Sequence, residues 1–173
     1  MSEHFMFEYD IRVYRESLDE MFSAIPVVLD ENAIMPKRAH EGDVGYDLFA
    51  REDGVVFAHD SCEFDTGVHI KLPEISYNSG GPYLSSFKTA GLVLSKSGLN
   101  FKHDLLSDGV IDPNYRGSIR VKLYNHGDHD YQVRRGDKIS QLVIVPVITF
   151  GLREVDALDE TDRGEGGFGS TGR

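Results

Sequence analysis

The chain has 173 residues, of which 40% are hydrophobic and 27% charged, and its formal net charge is −11. That length and composition suit one domain with a real core and exclude a disordered chain. An acidic chain repels a phosphate polymer at long range and lacks the basic face that holds one, so direct nucleic-acid binding is not expected. An anionic ligand must be small and met by a few local cations or a metal.

The N-terminus shows no basic patch followed by an apolar core, so no signal peptide is expected. Phe5, Phe7, Tyr9, Ile11 and Val13 alternate with mostly polar neighbours, a period of two that predicts a strand. A polar stretch, Arg15 to Glu20, separates it from a second strand over 25–29, which sets residues 1–24 apart as an N-terminal extension. Cys62, Phe64, Thr66, Val68 and Ile70 alternate in the same way. The lone Cys62 has no internal disulfide partner, which fits a reducing compartment. Residues 76–90 form a Ser/Gly-rich, apolar-poor loop, long for a compact domain and read as an insertion. Ile119, Val121 and Leu123 alternate with Arg120, Lys122 and Tyr124. Gln141 to Phe150 is apolar on both faces and predicts a strand buried between layers. Its longest apolar run falls far short of the ~20 residues of a membrane helix, so an intracellular protein is expected, in the cytoplasm, the nucleus or a virus-infected host cell. Turn signals such as Asp53-Gly54, Asp112-Pro113-Asn114 and Arg135-Gly136-Asp137 lie between the strands. With helix at most in Glu154 to Glu160, the pattern predicts an all-β barrel or jelly roll over 25–162.

Five segments carry chemistry, and each also fits a plainer account. Arg163 to Arg173 holds five glycines, whose backbone N–H groups can approach an anion closely. Ser170 and Thr171 add hydroxyls, Arg163 a fork for phosphate, and Phe168 a ring with no core to join; the plainer account is a solvated tail. In Gly109 to Gly117, Asp112 is either a turn former or a general base for water, with Tyr115 as a flat wall beside it. In Gly42 to Leu48, Asp43 and Asp47 are four apart, suiting either solvation or Mg²⁺ held directly or through its waters. Lys96-Ser97-Gly98 offers a cation, a hydroxyl and a glycine N–H in a row, and is equally an ordinary turn. Gln141, where a buried strand begins, requires hydrogen-bond partners.

Taken in this order, the segments resemble the five motifs of the trimeric dUTPase (deoxyuridine 5′-triphosphate nucleotidohydrolase) family. Ala39 to Leu48 resembles the first, Lys96 to Leu99 the second, Gly109 to Gly117 the third, Gly136 to Leu142 the fourth and Arg163 to Gly172 the fifth. The resemblance spans roughly residues 25–173. It implies a jelly-roll-like distorted β-barrel, assembled as a homotrimer with shared active sites and a Gly-rich C-terminal arm over 163–173. The implied reaction is hydrolysis of dUTP to dUMP and pyrophosphate with Mg²⁺, which limits uracil incorporation into DNA and supplies dUMP for dTMP synthesis. The resemblance makes Asp112 the base that directs water at the α-phosphorus, Tyr115 the deoxyribose wall and Asp47 the holder of Mg²⁺ through water. Lys96, Ser97, Gly98 and Gln141 become phosphate contacts, with Gly109 and Ile111 among the substrate-binding positions. Arg163, Gly169, Ser170 and Thr171 close over the phosphates while Phe168 stacks on uracil. Base choice is assigned to a hairpin within Asn100 to Gly109.

Some residues depart from the family pattern. Lys96 replaces the usual Arg and loses its bidentate fork, Ser95 replaces a usual Pro, and the 100–109 span is short. Two other classes remain to be weighed. A dCTP deaminase on the same fold requires a Glu acid/base motif that is not visible here. A nucleotide-gated binding module would take a protein partner through 1–24 or 76–90.

Overall fold

The computed structural model describes residues 24–75 and 87–167, which leaves the predicted strand at 5–13 and residues 76–86 outside the described residues. The described chain is mostly strand, as its alternating pattern requires. β1 (Val27–Leu29) pairs antiparallel with β5 (Val68–Ile70), and β3 (Gly54–Val56) with β11 (Tyr131–Val133). β10 (Arg120–Asn125) lies between β4 (Ser61–Asp65) and β8 (Leu105–Leu106). The largest sheet runs β2 (Gly45–Phe49), β12 (Lys138–Ile148), β7 (Phe87–Leu94), with β6 (Glu74–Ile75) and β9 (Asp108–Ile111) sharing the outer edge of β7. These hydrogen-bonding paths form four sheets and do not close into the expected barrel. None of the described helices is long and apolar enough to cross a membrane.

The predicted alternation in β10 holds: Val121, Leu123 and Asn125 face inward while Arg120 and Lys122 face water. The buried Asn125 amide is satisfied, donating to the Val56 and His129 carbonyls at 3.0 and 2.8 Å and accepting from Gly127 N–H. The strand predicted over 62–70 is broken in two. Gly67 turns the chain at φ +67°, where an added Cβ would come within 2.9 Å of Ala33 Cβ. Asp65 accepts the Gly67 N–H at 3.0 Å. The two halves therefore join different sheets while Phe64, Val68 and Ile70 stay in one core with Leu48, Val93, Leu105, Ile119 and Ile139.

Three expectations change. Residues 154–160 are not helical; among the described residues the helix is α1 (Ser97–His103), which fully buries none of its residues and so carries no apolar stripe for the sequence to display. The loop placed at 76–90 ends earlier, because Phe87–Ala90 already belong to β7. The strand over 141–150 is buried only in its first half: Leu142 is in the core, whereas Phe150 is 78% exposed and Leu152 fully so.

Gly54 has no room for a side chain, since a Cβ there would stand 2.6 Å from the Phe64 ring. Gly54→Ala is expected to lower stability by about 1–3 kcal/mol through overpacking, read as a lower denaturant midpoint with unchanged slope.

Candidate active site

Asp47 sits on β2 with 4% of its surface exposed, and a carboxylate so buried must be paired. Lys96 Nζ reaches its Oδ1, and Lys138 Nζ stands 2.7 Å from Oδ2. The Lys138 contact is an ion pair at an angle that leaves Oδ2 without a hydrogen bond. Burial alone would raise the Asp47 pKa; the two ammonium groups more than offset it and hold the carboxyl below its ordinary value. Lys96, read from the sequence as a phosphate contact, is turned here onto the first segment's carboxylate. Lys138 is a candidate that sequence reasoning missed, brought to the site by its ion pair with Asp47. It lies inside the fourth segment but has no distinguishing mark beyond following a turn.

Register brings further candidates to the same place. Asp47, Gln141 and Leu94 are cross-strand partners, and Leu94 pairs onward with Asp108. Gln141 donates from Nε2 to the Ser95 carbonyl at 3.1 Å. Its amide lies against Gly45, where a Cβ would come within 2.6 Å of Oε1. Ser97 and Gly98 open α1 beside Lys96, both exposed, with nothing within 4 Å of a Cβ at Gly98. The excursion bearing them is stitched at its base. Ser95 Oγ donates to the Ser107 carbonyl at 3.0 Å and accepts its N–H at 2.8 Å, and the Ser107 and Ser140 hydroxyls meet at 2.9 Å.

The hairpin expected within Asn100 to Gly109 is not there. After α1, β8 pairs with β10 and β9 with β7, so the chain changes sheets at Ser107 instead of folding back on itself. β9 then carries Gly109 and Ile111 to the exposed Asp112, the first residue of a turn closed by Tyr115 N–H to the Asp112 carbonyl at 3.0 Å. Among the described residues the Asp112 carboxylate makes no hydrogen bond or ion pair. The Tyr115 ring lies over Gly117, where a Cβ would stand 2.3 Å from the phenol oxygen, and its hydroxyl donates to the Ser118 carbonyl at 3.0 Å.

Asp47 and Asp112 are not brought together within one chain. Asp47 and Asp108 are three strand spacings apart, and Ile111 lies three residues further along, which separates the two ends by roughly 17 Å. Arg163 stands in its own exposed turn, with Nε donating to the Gly166 carbonyl at 2.8 Å. Phe168, Gly169, Ser170 and Thr171 lie outside the described residues.

The dUTPase family model matches residues 81–172. A deoxyuridine 5′-triphosphate nucleotidohydrolase of Clostridium acetobutylicum is 42% identical over 147 residues, covering 83% of this chain and 92% of the relative. One from Arabidopsis thaliana is 41% identical over 145 residues, covering 83% and 80%. The chain belongs to the dUTPase family. Among solved structures it is similar to the Staphylococcus bacteriophage 80alpha dUTPase with dUPNHPP, at TM-score 0.73 and 29% identity over 87% of this chain and 99% of that one. It is also similar to the dUTPase of phage phi11 of S. aureus, described with a structural Mg(II) ion, at TM-score 0.64 and 29% identity over 78% and 98%.

Among the described residues no group of three or more His, Cys, Asp or Glu could cage a metal. The donor set fits Mg²⁺ only as an ion carried on substrate phosphates, which takes few protein ligands. Each Asp47 oxygen has an ammonium group against it, so a metal-bound water would reach the carboxylate only by displacing Lys96 or Lys138.

Lys96→Met should leave the Asp47 charge with Lys138 alone and destabilise the fold by about 1–3 kcal/mol, less than for a fully buried pair because Lys96 is one-quarter exposed. Asp47 has a depressed pKa, so the pair stabilises fully above the ordinary value of 3.8 and loses its effect as pH falls from there through the lowered folded value. Unfolding curves of the two proteins should converge across that window and differ most at neutral pH.

Proposed function

We propose that the chain hydrolyses dUTP to dUMP and pyrophosphate inside the cell, limiting uracil incorporation into DNA and supplying dUMP for dTMP synthesis. The observation that carries the assignment is Asp112: an exposed carboxylate fixed at the head of a tight turn, with Tyr115 in that turn, in a chain of the dUTPase family. Asp112 takes a proton from water as the water oxygen bonds to the α-phosphorus. The bond from that phosphorus to the bridging oxygen breaks, and its electron pair leaves with pyrophosphate. Tyr115 presents its ring to the deoxyribose. Ser97, the Gly98 N–H and Gln141 position the phosphates, and Lys96 and Lys138 supply the local positive charge that an acidic chain must concentrate. Asp47 would hold Mg²⁺ through water, and the ion would supply charge neutralisation on the triphosphate. Arg163, Gly169, Ser170 and Thr171 close over the phosphates, and Phe168 stacks on the base.

We further propose that the site is shared between copies in a homotrimer. Support comes from the roughly 17 Å between the Asp47 and Asp112 ends of one sheet, too far for both to act on one triphosphate-bound centre through contacts of a few ångströms. Residues 148–158 supply further support. Ile148, Phe150, Leu152 and Leu158 all expose apolar surface, as a segment does when another copy covers it. Residues 25–162 then form the body, 163–173 the arm over a neighbour's site and 1–24 an extension beside the body. The 80alpha enzyme is described as acting by a G protein-like mechanism, which favours a second, partner-binding role for 1–24 or 76–90. Pull-down with and without dUpNHpp tests that role.

Asp112→Asn should abolish pyrophosphate release from dUTP with Mg²⁺ while leaving dUpNHpp binding largely intact; full activity in the variant overturns the assignment. Mixing inactive Asp112→Asn with inactive Ser97→Ala/Gln141→Ala chains should restore part of the activity, because some mixed trimers hold one intact site. No recovery after subunit exchange would place each site within one chain. Deleting 163–173 should reduce turnover severely, and comparing dUTP, dCTP, dTTP and UTP measures base and sugar choice, with no ammonia released from dCTP.

A further inference from the structure

The turn bearing Asp112 and Tyr115 is held from behind by a polar chain that none of the five motifs includes. His69, on β5, has Nδ1 2.9 Å from the Arg116 carbonyl and Nε2 3.2 Å from Asp30 Oδ1. Arg51 bridges Asp30 and Asp65, with nitrogens 3.1 and 2.8 Å from their carboxylates. Asp65 in turn accepts the Ser118 hydroxyl. Arg116 and Ser118 belong to the irregular stretch that follows Asp112, so the chain grips it at two points. Between those points Tyr115 hydrogen-bonds Ser118, and the Arg116 guanidinium folds back on the Pro113 and Tyr115 carbonyls at 2.6 and 2.7 Å.

A carbonyl oxygen and an ionised carboxylate can only accept hydrogen bonds. A histidine whose two ring nitrogens face one of each makes both contacts only as the doubly protonated imidazolium. We propose that His69 is a positioning residue: as an imidazolium anchored on Asp30, it fixes the Arg116 carbonyl and thereby the placement of Asp112 and Tyr115. The proposal rests on the reading that Asp112 and Tyr115 act on the nucleotide.

The charged groups around the ring are Asp30 after β1, Arg51 after β2, Asp65 at the end of β4 and Arg116 in the held stretch itself. The hydrogen bond to the Arg116 carbonyl raises the His69 pKa above 6.5, burial opposes it, and Asp30 and Asp65 add to the rise. A raised pKa means that the anchor is complete below the ordinary histidine range and is lost as pH climbs through the folded value. The neutral ring keeps one N–H, so on the alkaline side it no longer ties the Arg116 carbonyl to Asp30, and catalysis should weaken through a group remote from the phosphates.

Two measurements test this. In wild-type protein, ¹⁵N–¹H correlation of the His69 ring, assigned by its loss in His69→Gln, should show both nitrogens protonated at pH 6.5. A ring with a single N–H there overturns the inference whether or not dUTP is the substrate. In kinetics on the full chain, His69→Leu should lower kcat/KM for dUTP by about tenfold at pH 6.5, a loss of the size that small misplacement produces. The deficit should narrow as pH rises through the raised His69 pKa, above which the wild-type ring has lost its second proton too. Asp30→Asn, at a half-exposed position, should shift the same inflection to lower pH. A deficit constant with pH, or an inflection unmoved by Asp30→Asn, overturns the inference. An active wild type with those results leaves the hydrolase assignment standing, whereas full activity of Asp112→Asn removes that assignment instead.

Discussion

A carboxylate nearly sealed from water cannot stay ionised without partners, and Asp47 draws its partners from segments far apart in the chain. Lys96 comes from the head of α1 and Lys138 from the start of β12, so one charge fixes how β2, the α1 excursion and β12 meet. The serine contacts beneath them and the Gln141 amide lodged over Gly45 reinforce the same junction with neutral hydrogen bonds. Two ammonium groups against one carboxylate leave an excess of positive charge there. In a protein with net charge −11, that local excess is of the kind that suits a small anion and not a long one.

Much of this was legible in the sequence because burial on one face of a strand writes itself as alternation. β10 reads correctly residue by residue for that reason. The stretch over 61–70 reads as one strand because the period of two survives the turn at Gly67. The break depends on which sheet each half joins, and that is a tertiary choice. Helix α1 left no trace because only Leu99 packs, half-buried, against the core and one position makes no apolar stripe. Asp112, Tyr115 and Gln141 stood out as candidates by order and company. Lys138 did not, since an ion pair spanning most of the domain has no local signature. Nor did the grip of His69 on the Arg116 carbonyl, where the recognised group belongs to the backbone.

The described chain looks incomplete by its own physical standards. β12 begins in the core and ends at the exposed Ile148, and the chain beyond it leaves Phe150 and Leu152 in water, as a surface covered by a second copy would. The same incompleteness appears in polar form, with the clustered cations at one end of the sheet and Asp112 at the other. A second copy would answer both, covering the apolar segment and bringing the two ends of different sheets to one nucleotide.

The shared edge of β7 has a mechanical consequence. Its eight residues offer one row of outward hydrogen-bonding groups, divided between β6 at Phe87 and Lys88 and β9 from Gly91 to Leu94. Only Thr89 and Ala90 separate the two tenants, and the Thr89 hydroxyl is already committed to the Pro73 carbonyl at 2.6 Å. Lengthening β6 by a single pleat would bring it against the strand that delivers Asp112. Growth of β6 at its N-terminal end is therefore limited by β9, whereas the link from Ile75 to Phe87 leaves at the opposite end of the pair and can vary in length without contesting the edge that carries Asp112.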